Sequence, residues 1–444
     1  MSSPNRGLRL DRHDFFGQLW RWQIGNAILT SFSQALPLVM TWWALTAIGA
    51  PKLAGTFIAA FTIGDLVGVS IASIPVKRWG QMITMFLCAA LAALSLLTCR
   101  LGMAAFFPQN QQLILVVAGM FIHGISVGCR TTVFQAFIAQ KAKREVAAKE
   151  VQRLVRYSVL VSILGPTLAG IYLSCSKLPI WPPFVIGMVL TAIFLTIPTE
   201  REAKNLQKEN GVKTILIGAR LFMLVRPNWP LLSASLIIKI TLFSFFSLLL
   251  PAMLAGSSKG RPWVMSVFDD VFSISGFALS SILYRYLSRS RRVGSAASIS
   301  TSLVGLSFVF FFTVTQAVGG KGLDGAYIIL AVGSIAMAVA GAAVVSTEMH
   351  VSPRVFLPIP ASAQLPYLQF IALFQQLLMV AVTYLFGSFL TRIPPIAMIG
   401  FLGALIIGAS GWLFLSATRH AIHAVAEGEL QGAYEKLHPE WFKT

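Results

Sequence analysis

The stretch 198–230, PTEREAKNLQKENGVKTILIGARLFMLVRPNWP, is the longest polar interruption in a chain whose other long segments are mostly apolar. Six apolar segments precede it and six follow, and each approaches or exceeds the roughly 20 residues that a helix needs to cross a bilayer. The sequence therefore predicts an all-α membrane protein with 12 transmembrane helices in two six-helix bundles. The predicted spans are 17–45, 52–76, 81–103, 112–138, 152–174, 179–197, 231–254, 262–285, 292–316, 325–347, 364–390 and 394–418.

Lys and Arg are concentrated in alternate gaps between these spans. Of the 35 Lys and Arg residues, 26 lie in the termini, the 198–230 segment and the gaps of one side, and seven lie in the opposite gaps. Because basic loops stay in the cytoplasm, we predict a multi-pass protein of the inner or plasma membrane with both termini cytoplasmic. The remaining two, Arg130 and Lys239, lie within spans, near enough to the cytoplasmic ends to extend toward the headgroups.

Composition supports a membrane protein, with 56% apolar and 11% charged residues against about 25% charged in soluble domains. The net charge of +19 clusters beside spans, which favours anionic lipid contact over nucleic acid as a partner. The four cysteines lack the paired spacing of a metal site. Phosphate-binding loops and catalytic motifs are missing from the sequence, so we predict no cofactor, no metal and no enzyme activity.

The polar interruption predicts four regions. These are an N-terminal six-helix bundle (1–197), a cytoplasmic linker with an interfacial helix (198–230), a C-terminal six-helix bundle (231–420) and a cytoplasmic tail (421–444). For the tail, a solvated end is favoured over a partner site. Two bundles of this kind place a substrate site between them near the membrane midplane and work by rocking around it.

Short motifs add to this layout. The stretch 41–61, TWWALTAIGAPKLAGTFIAAF, joins spans 1 and 2, and 73–81, SIPVKRWGQ, follows span 2. In span 5, 165–170 reads GPTLAG, and 218–232, GARLFMLVRPNWPLL, leads into span 7. Over its whole length the chain resembles the major facilitator superfamily, and in these motifs it resembles the drug and siderophore efflux-like branch.

The resemblance implies gating roles for two groups of residues. In the turn after span 2, Arg78 and Gly80 match the family pattern, whereas Lys77 stands where the family has Asp. In span 5 the motif of family antiporters is matched at Gly165, Pro166 and Gly170. In span 4, however, Met120 replaces the Arg that the family associates with proton coupling.

Ionisable side chains inside a span normally face a cavity or a partner, because burying them in lipid is costly. Asp65 lies roughly 20 Å along span 2 from its outer end, at 1.5 Å per residue, and His123 is similarly deep in span 4. We predict that Asp65 carries a coupling proton, with a structural hydrogen bond to a neighbouring helix as the alternative. For His123 a packing role is favoured. Arg130 shares a face with His123 and could attract an anionic substrate.

The second half offers its own candidates. Asp269 and Asp270 form an adjacent acidic pair at the head of a stripe of small residues in span 8, which predicts either close packing or attraction of a cation or proton. Gln369 and Gln376 lie on one line in span 11 and could contact substrate or bridge helices. Gln34 gives span 1 a comparable polar side. Glu348, at the cytoplasmic mouth of span 10, is predicted to form a gating ion pair.

These features predict a monomeric secondary transporter that exports a small amphiphilic molecule, such as a drug-like compound or a siderophore. It would work by alternating access, with proton antiport across the lipid bilayer. Two alternatives share the fold. One is an importer of a nutrient or siderophore, and the other is a lipid flippase, against which the polar stripes argue.

Overall fold

A computed structural model of the chain describes residues 29–31, 33–104, 107–141, 164–174, 211–257, 263–288, 293–318, 322–417, 419–425, 429–430 and 432–441. Within these ranges the regular structure is helical and there is no strand. The predicted all-α class is therefore confirmed.

In the described ranges, the N-terminal half contains helices α1 to α5. Helix α1 covers 29–31 and 33–43 and continues into a π-helical turn, Ala44–Ile48. The others are α2 (Pro51–Ile71), α3 (Ser73–Gly102), α4 (Gln109–Lys141) and α5 (Leu164–Ser174). Proline at the first position starts α2, where its missing N–H costs no hydrogen bond.

The C-terminal half contains α7 to α12, preceded by the linker helix α6 (Gly211–Leu224). Helix α7 starts at Trp229 and runs to Ser257 through a π-helical turn at Phe245–Leu249. A short helix, α13, lies in the tail. The remaining bounds are α8 (Trp263–Ser288), α9 (Val293–Val318), α10 (Gly322–Phe356), α11 (Ala361–Phe389), α12 (Pro395–Ala417) and α13 (Ala433–Leu437).

In the described part of the chain, nine helices are long and apolar enough to cross a membrane: α2, α3, α4 and α7 to α12. They match nine of the predicted spans, so the chain is a multi-pass membrane protein. The predicted spans 17–45 and 152–174 are described only in part, and 179–197 lies outside the described residues.

Glycines allow helices α2 and α4 to cross at backbone contact. A Cβ added at Gly124 of α4 would collide with the backbone oxygen of Phe61 and lie 2.6 Å from the backbone nitrogen of Asp65. Gly64 of α2 is packed in the same way against the backbone of Phe121. Membrane helices associate through small residues of this kind because the lipid provides no hydrophobic drive between them. The crossing fixes where Asp65 and the polar residues of α4 meet.

The linker helix α6 packs on α11. A Cβ added at Gly218 would collide with the backbone oxygen of Pro366, and the ring of Phe222 contacts the rings of Phe370 and Phe374. Leu216, on another side of α6, keeps 64% of its surface exposed. An apolar side chain left exposed beside a membrane bundle suits the predicted position of this helix in the interface.

The tail packs against the end of the C-terminal half. Tyr434 is buried and donates a hydrogen bond from Oη to Oδ1 of Asn228, at 2.7 Å. The amide of Asn228 in turn donates to the backbone oxygen of Val355 and to Oη of Tyr367, at 2.8 and 3.2 Å. Burial raises the pKa of the Tyr434 phenol. The prediction of a solvated end is therefore wrong for Leu430, Ala433 and Tyr434, which complete an apolar cluster with the linker and α10. Glu435, Lys436 and Leu437 are exposed.

Candidate functional site

A cluster of buried polar residues joins α1, α2, α3 and α4 in the N-terminal half. His123 of α4 is buried and bonded at both ring nitrogens. Its Nδ1 lies 3.0 Å from Oγ of Ser95 on α3, and its Nε2 lies 3.1 Å from the backbone oxygen of Ser33 on α1. The ring of Phe61 on α2 completes the enclosure at 5.7 Å. A histidine held at both nitrogens ties three helices together.

Arg130 and Asp65 are the charged members of the same cluster. Both side chains are buried. Nη1 of Arg130 donates to Oγ1 of Thr30 on α1, at 2.7 Å, and the guanidinium lies within electrostatic reach of Asp65. Gly128 of α4 lies directly over the carboxylate, since a Cβ there would collide with Oδ1 of Asp65. The structure therefore brings together Asp65 of α2 with His123 and Arg130 of α4.

The turn after α2 is built around one glycine. Gly80 has φ 87° and ψ 170°, a backbone conformation that side chains disfavour, and it separates a short helical turn from the membrane-spanning part of α3. The guanidinium carbon of Arg78 lies 5.3 Å from the centre of the Trp79 ring, within cation–π distance. The side chain of Lys77 lies outside the described residues.

The span 5 motif lies at a contact between the two halves. Ser266 of α8 donates from Oγ to the backbone oxygen of Pro166, at 2.7 Å, and a Cβ added at Gly170 would collide with Oγ of Ser266. One turn further along α8, Asp270 accepts from Oγ1 of Thr167 at both carboxylate oxygens, at 2.8 and 2.9 Å. Gly165 packs instead within its own half, against the backbone of Ser31 and the side chain of Gln34 on α1.

Asp270 of the acidic pair is bonded to the other half through Thr167. Both Asp269 and Asp270 are partly exposed. The small residues of the predicted stripe, Ser273, Gly276 and Ser280, are buried, as close helix packing requires. Thr167 was missed from the sequence, although it lies inside the motif that carried the resemblance.

Helices α2 and α11 make a second contact between the halves. Gly55 and Gly387 face each other so closely that a Cβ on Gly55 would lie 2.7 Å from Cα of Gly387. Deeper along α2, the rings of Phe61 and of Phe243 on α7 stack at 6.1 Å. Trp42 of α1 is buried in the apolar core of the C-terminal half. The two halves therefore contact each other near the helix ends that are extracellular in the orientation predicted from the charges. These contacts extend to the middle of the bundle.

The C-terminal half holds an ion pair between α7 and α10. Nζ of Lys239 on α7 lies 3.7 Å from Oε2 of Glu348 on α10. The carboxylate is also held by two hydroxyls, with Ser235 donating to Oε1 at 2.6 Å and Ser352 donating to Oε2 at 2.7 Å. An ion pair was predicted at Glu348, whereas Lys239 was predicted to extend toward the headgroups. Nearby, the ring of His350 stacks on Tyr284 of α8 at 4.3 Å.

The three predicted glutamines differ in their exposure. Gln34 of α1 is exposed, and Gln369 and Gln376 of α11 are partly exposed. Oε1 of Gln376 is buried and makes no hydrogen bond in the described part of the chain. The described residues contain no group of three His, Cys, Asp or Glu that could hold a metal ion.

Solved structures share this fold over nearly the whole chain, although no family model and no curated protein matches the sequence. The inward-open conformation of the xylose transporter XylE from E. coli matches with a TM-score of 0.67 over 94% of this chain and 99% of that chain, at 14% identity. A further matching structure is that of XylE, a proton:xylose symporter of the major facilitator superfamily, bound to 6-bromo-6-deoxy-D-glucose. This chain has the major facilitator fold.

Other transporters with the major facilitator fold match as well. A bacterial homologue of the iron transporter ferroportin, in an outward-facing state, has a TM-score of 0.61 at 13% identity, covering 90% of this chain and 98% of that chain. The nucleoside transporter NupG has a TM-score of 0.59 at 16% identity, covering 90% and 99%. Because these identities are low, the matches establish the arrangement of helices, and the substrates belong to those proteins.

Proposed function

We propose that the chain is a secondary transporter that carries a small amphiphilic molecule across the cell membrane by alternating access. The observation that carries the proposal is two of the contacts between the halves, α2 with α11 and α5 with α8. Both use small side chains and few hydrogen bonds, so they can separate at modest cost. Charged residues on membrane-spanning helices of each half, the buried Asp65 and Arg130 in one and the Lys239–Glu348 pair in the other, would meet substrate or protons between the halves.

For direction, we propose export coupled to proton antiport. The resemblance of 165–170 to the antiporter motif supports export, and this motif lies where α5 meets α8. Asp65 is our candidate for the coupling proton, because it is a buried carboxylate of the N-terminal half and has Arg130 nearby. Protonation of Asp65 would change the balance of charge inside the α2–α4 crossing.

Import is the second candidate, and a specific observation favours it. The proton symporter XylE matches this fold in inward-open and partially occluded conformations. Symport on the same scaffold requires only that substrate and proton bind together, rather than in turn, before the halves move.

Metabolite profiling of a deletion strain against its parent, in medium and in cell extract, separates these candidates. A compound that is lost from the medium and accumulates inside the deletion strain would support export and identify the substrate class. A compound left in the medium, with a growth defect relieved by the restored gene, would support import. No difference for any compound under many growth conditions would contradict transport of a small metabolite.

A further inference from the structure

We infer that Lys239 binds an acidic group of the transported molecule, in exchange for its contact with Glu348. The inference rests on the proposed transport function and specifies its substrate class as an anionic amphiphile, bearing a carboxylate, sulfonate or phosphate. It departs from the prediction made from the sequence, which placed Lys239 toward the headgroups.

The depth of Lys239 is the first argument. The apolar segment that contains it runs over Arg226–Ala255, and Lys239 comes ten residues after Trp229, roughly 15 Å along the helix at 1.5 Å per residue. That position is close to the middle of the segment. Yet 43% of the side chain is exposed. An ammonium in the middle of a span is tolerated when it faces a water-filled space or a partner, and we place the exposed part of Lys239 in such a space.

The direction of the side chain is the second argument. Phe243 lies four residues after Lys239, on the same face of α7, and its ring stacks on Phe61 of the N-terminal half. Lys239 also contacts α10 through Glu348. The open side of Lys239 therefore faces the space between the halves, next to two aromatic rings that could hold the apolar part of an amphiphile.

The geometry of the ion pair is the third argument. The distance of 3.7 Å between Nζ of Lys239 and Oε2 of Glu348 exceeds the roughly 2.7–2.9 Å of a charge-assisted hydrogen bond. Ser235 and Ser352 donate to the two oxygens of Glu348 at 2.6 and 2.7 Å. The carboxylate is thus held without Lys239. The ammonium, with three N–H donors, can turn to an anionic ligand while Glu348 keeps its hydroxyl partners.

Competition between Glu348 and the ligand predicts opposite effects for two substitutions. The test measures equilibrium binding of naphthalene-2-carboxylate, with the neutral naphthalene-2-carboxamide for comparison, to the full chain in nanodiscs. Lys239→Met should weaken carboxylate binding about tenfold to a hundredfold, as loss of a hydrogen bond to a charged group does. Glu348→Gln should strengthen carboxylate binding, because the competing negative charge is gone. Binding of the amide should change little in either variant, and Ile237→Met is the control on a neighbouring position of α7.

Three results would overturn the inference. In the first, the wild-type protein does not bind the carboxylate more tightly than the amide. In the second, Lys239→Met leaves carboxylate binding unchanged. In the third, Glu348→Gln weakens carboxylate binding as much as Lys239→Met does. The last result would mean that the pair only stabilises the fold.

Chemical modification separates a lost charge from a misfolded protein. In Lys239→Cys, 2-aminoethyl methanethiosulfonate restores a positive charge, whereas the 2-sulfonatoethyl reagent adds a negative one. The described native cysteines, Cys88, Cys99 and Cys129, are buried, and the unsubstituted chain gives the background. We expect the amine, and not the sulfonate, to restore carboxylate binding, and we expect Ile238→Cys, at a buried position, to react much more slowly. If the thiol introduced by Lys239→Cys does not react from water, the exposed position is contradicted.

The proposed transport function can be contradicted independently of the binding site at Lys239. Carboxylate binding that depends on Lys239, without flux of any profiled metabolite in proteoliposomes, would keep the site and contradict transport. Flux of a metabolite that is unaffected by Lys239→Met would keep transport and contradict the site.

Discussion

Asp65 is the residue on which the proposed coupling depends. It is buried between α2 and α4, with Gly128 over its carboxylate and Arg130 within electrostatic reach. Asp65→Asn keeps the size of the side chain and removes its proton. We expect flux driven by a pH gradient to be lost in proteoliposomes, while exchange of substrate across the membrane continues. Asp65→Glu, which still titrates, should retain part of the driven flux, and full driven flux in Asp65→Asn would remove this residue from coupling.

Because His423 in the tail is a buried titratable residue, we expect the packing of the tail to depend on pH. Burial, then the charges of Arg354 and His420, lower its pKa from the ordinary 6.5 to about 4. The first turn of α9 also lies against it, since a Cβ on Gly294 would be 2.9 Å from Nδ1 of His423. A released tail binds a proton more readily than the packed one. Packing of the tail is therefore strongest above pH 6.5 and weakens as the pH falls toward 4.

Hydrogen exchange of 419–425, corrected for the intrinsic effect of pH, measures this packing. We expect protection to decrease through that pH range in the wild type. In His423→Phe, which fills the space without titrating, protection should stay constant. Equal pH dependence in both proteins would assign the effect to another group.

The sequence could predict which residues are polar inside a span, but not their partners. Asp65, His123 and Arg130 stood out because charge within an apolar segment is visible in the sequence. The partners of Lys239 and Asp270 come from helices distant in the chain, Glu348 on α10 and Thr167 on α5. Tertiary packing sets such pairs, which is why Lys239 was placed toward the headgroups and Thr167 was missed.

At the scale of helices, the α2–α4 crossing depends on glycine. Gly124→Ala would place a methyl group against the backbone oxygen of Phe61, and because backbone cannot move aside, we expect a loss of stability of about 1–3 kcal/mol. Gly408→Ala on α12 is the matched control, since a Cβ there meets no atom within 4 Å. Thermal unfolding in detergent should distinguish the two variants. Equal melting temperatures would mean that the helices separate without cost.

Helix positions were the best predicted feature, because bilayer thickness and the charge rule constrain them directly. The tail was not. Its packing depends on single contacts, such as Tyr434 to Asn228, between segments that are 206 residues apart. An amphipathic segment of that length is compatible with solvent, lipid or protein as its neighbour, so the sequence pattern alone does not choose.

At the scale of the molecule, the proposed transport cycle requires the two halves to separate on one side for substrate to pass. A disulfide across the α5–α8 contact would prevent this. A Cβ added at Gly170 lies 3.0 Å from Cβ of Ser266, slightly closer than the roughly 3.5–4.5 Å of disulfides, so Gly170→Cys with Ser266→Cys can be oxidised after a small shift. We expect oxidation to abolish net flux in proteoliposomes and a reductant to restore it. The single-cysteine variants should not respond to the oxidant, which separates locking from crowding at Gly170. A cross-linked protein that transports at the wild-type rate would show that this contact stays closed throughout the cycle, and movement between the halves would then have to occur without opening α5 from α8.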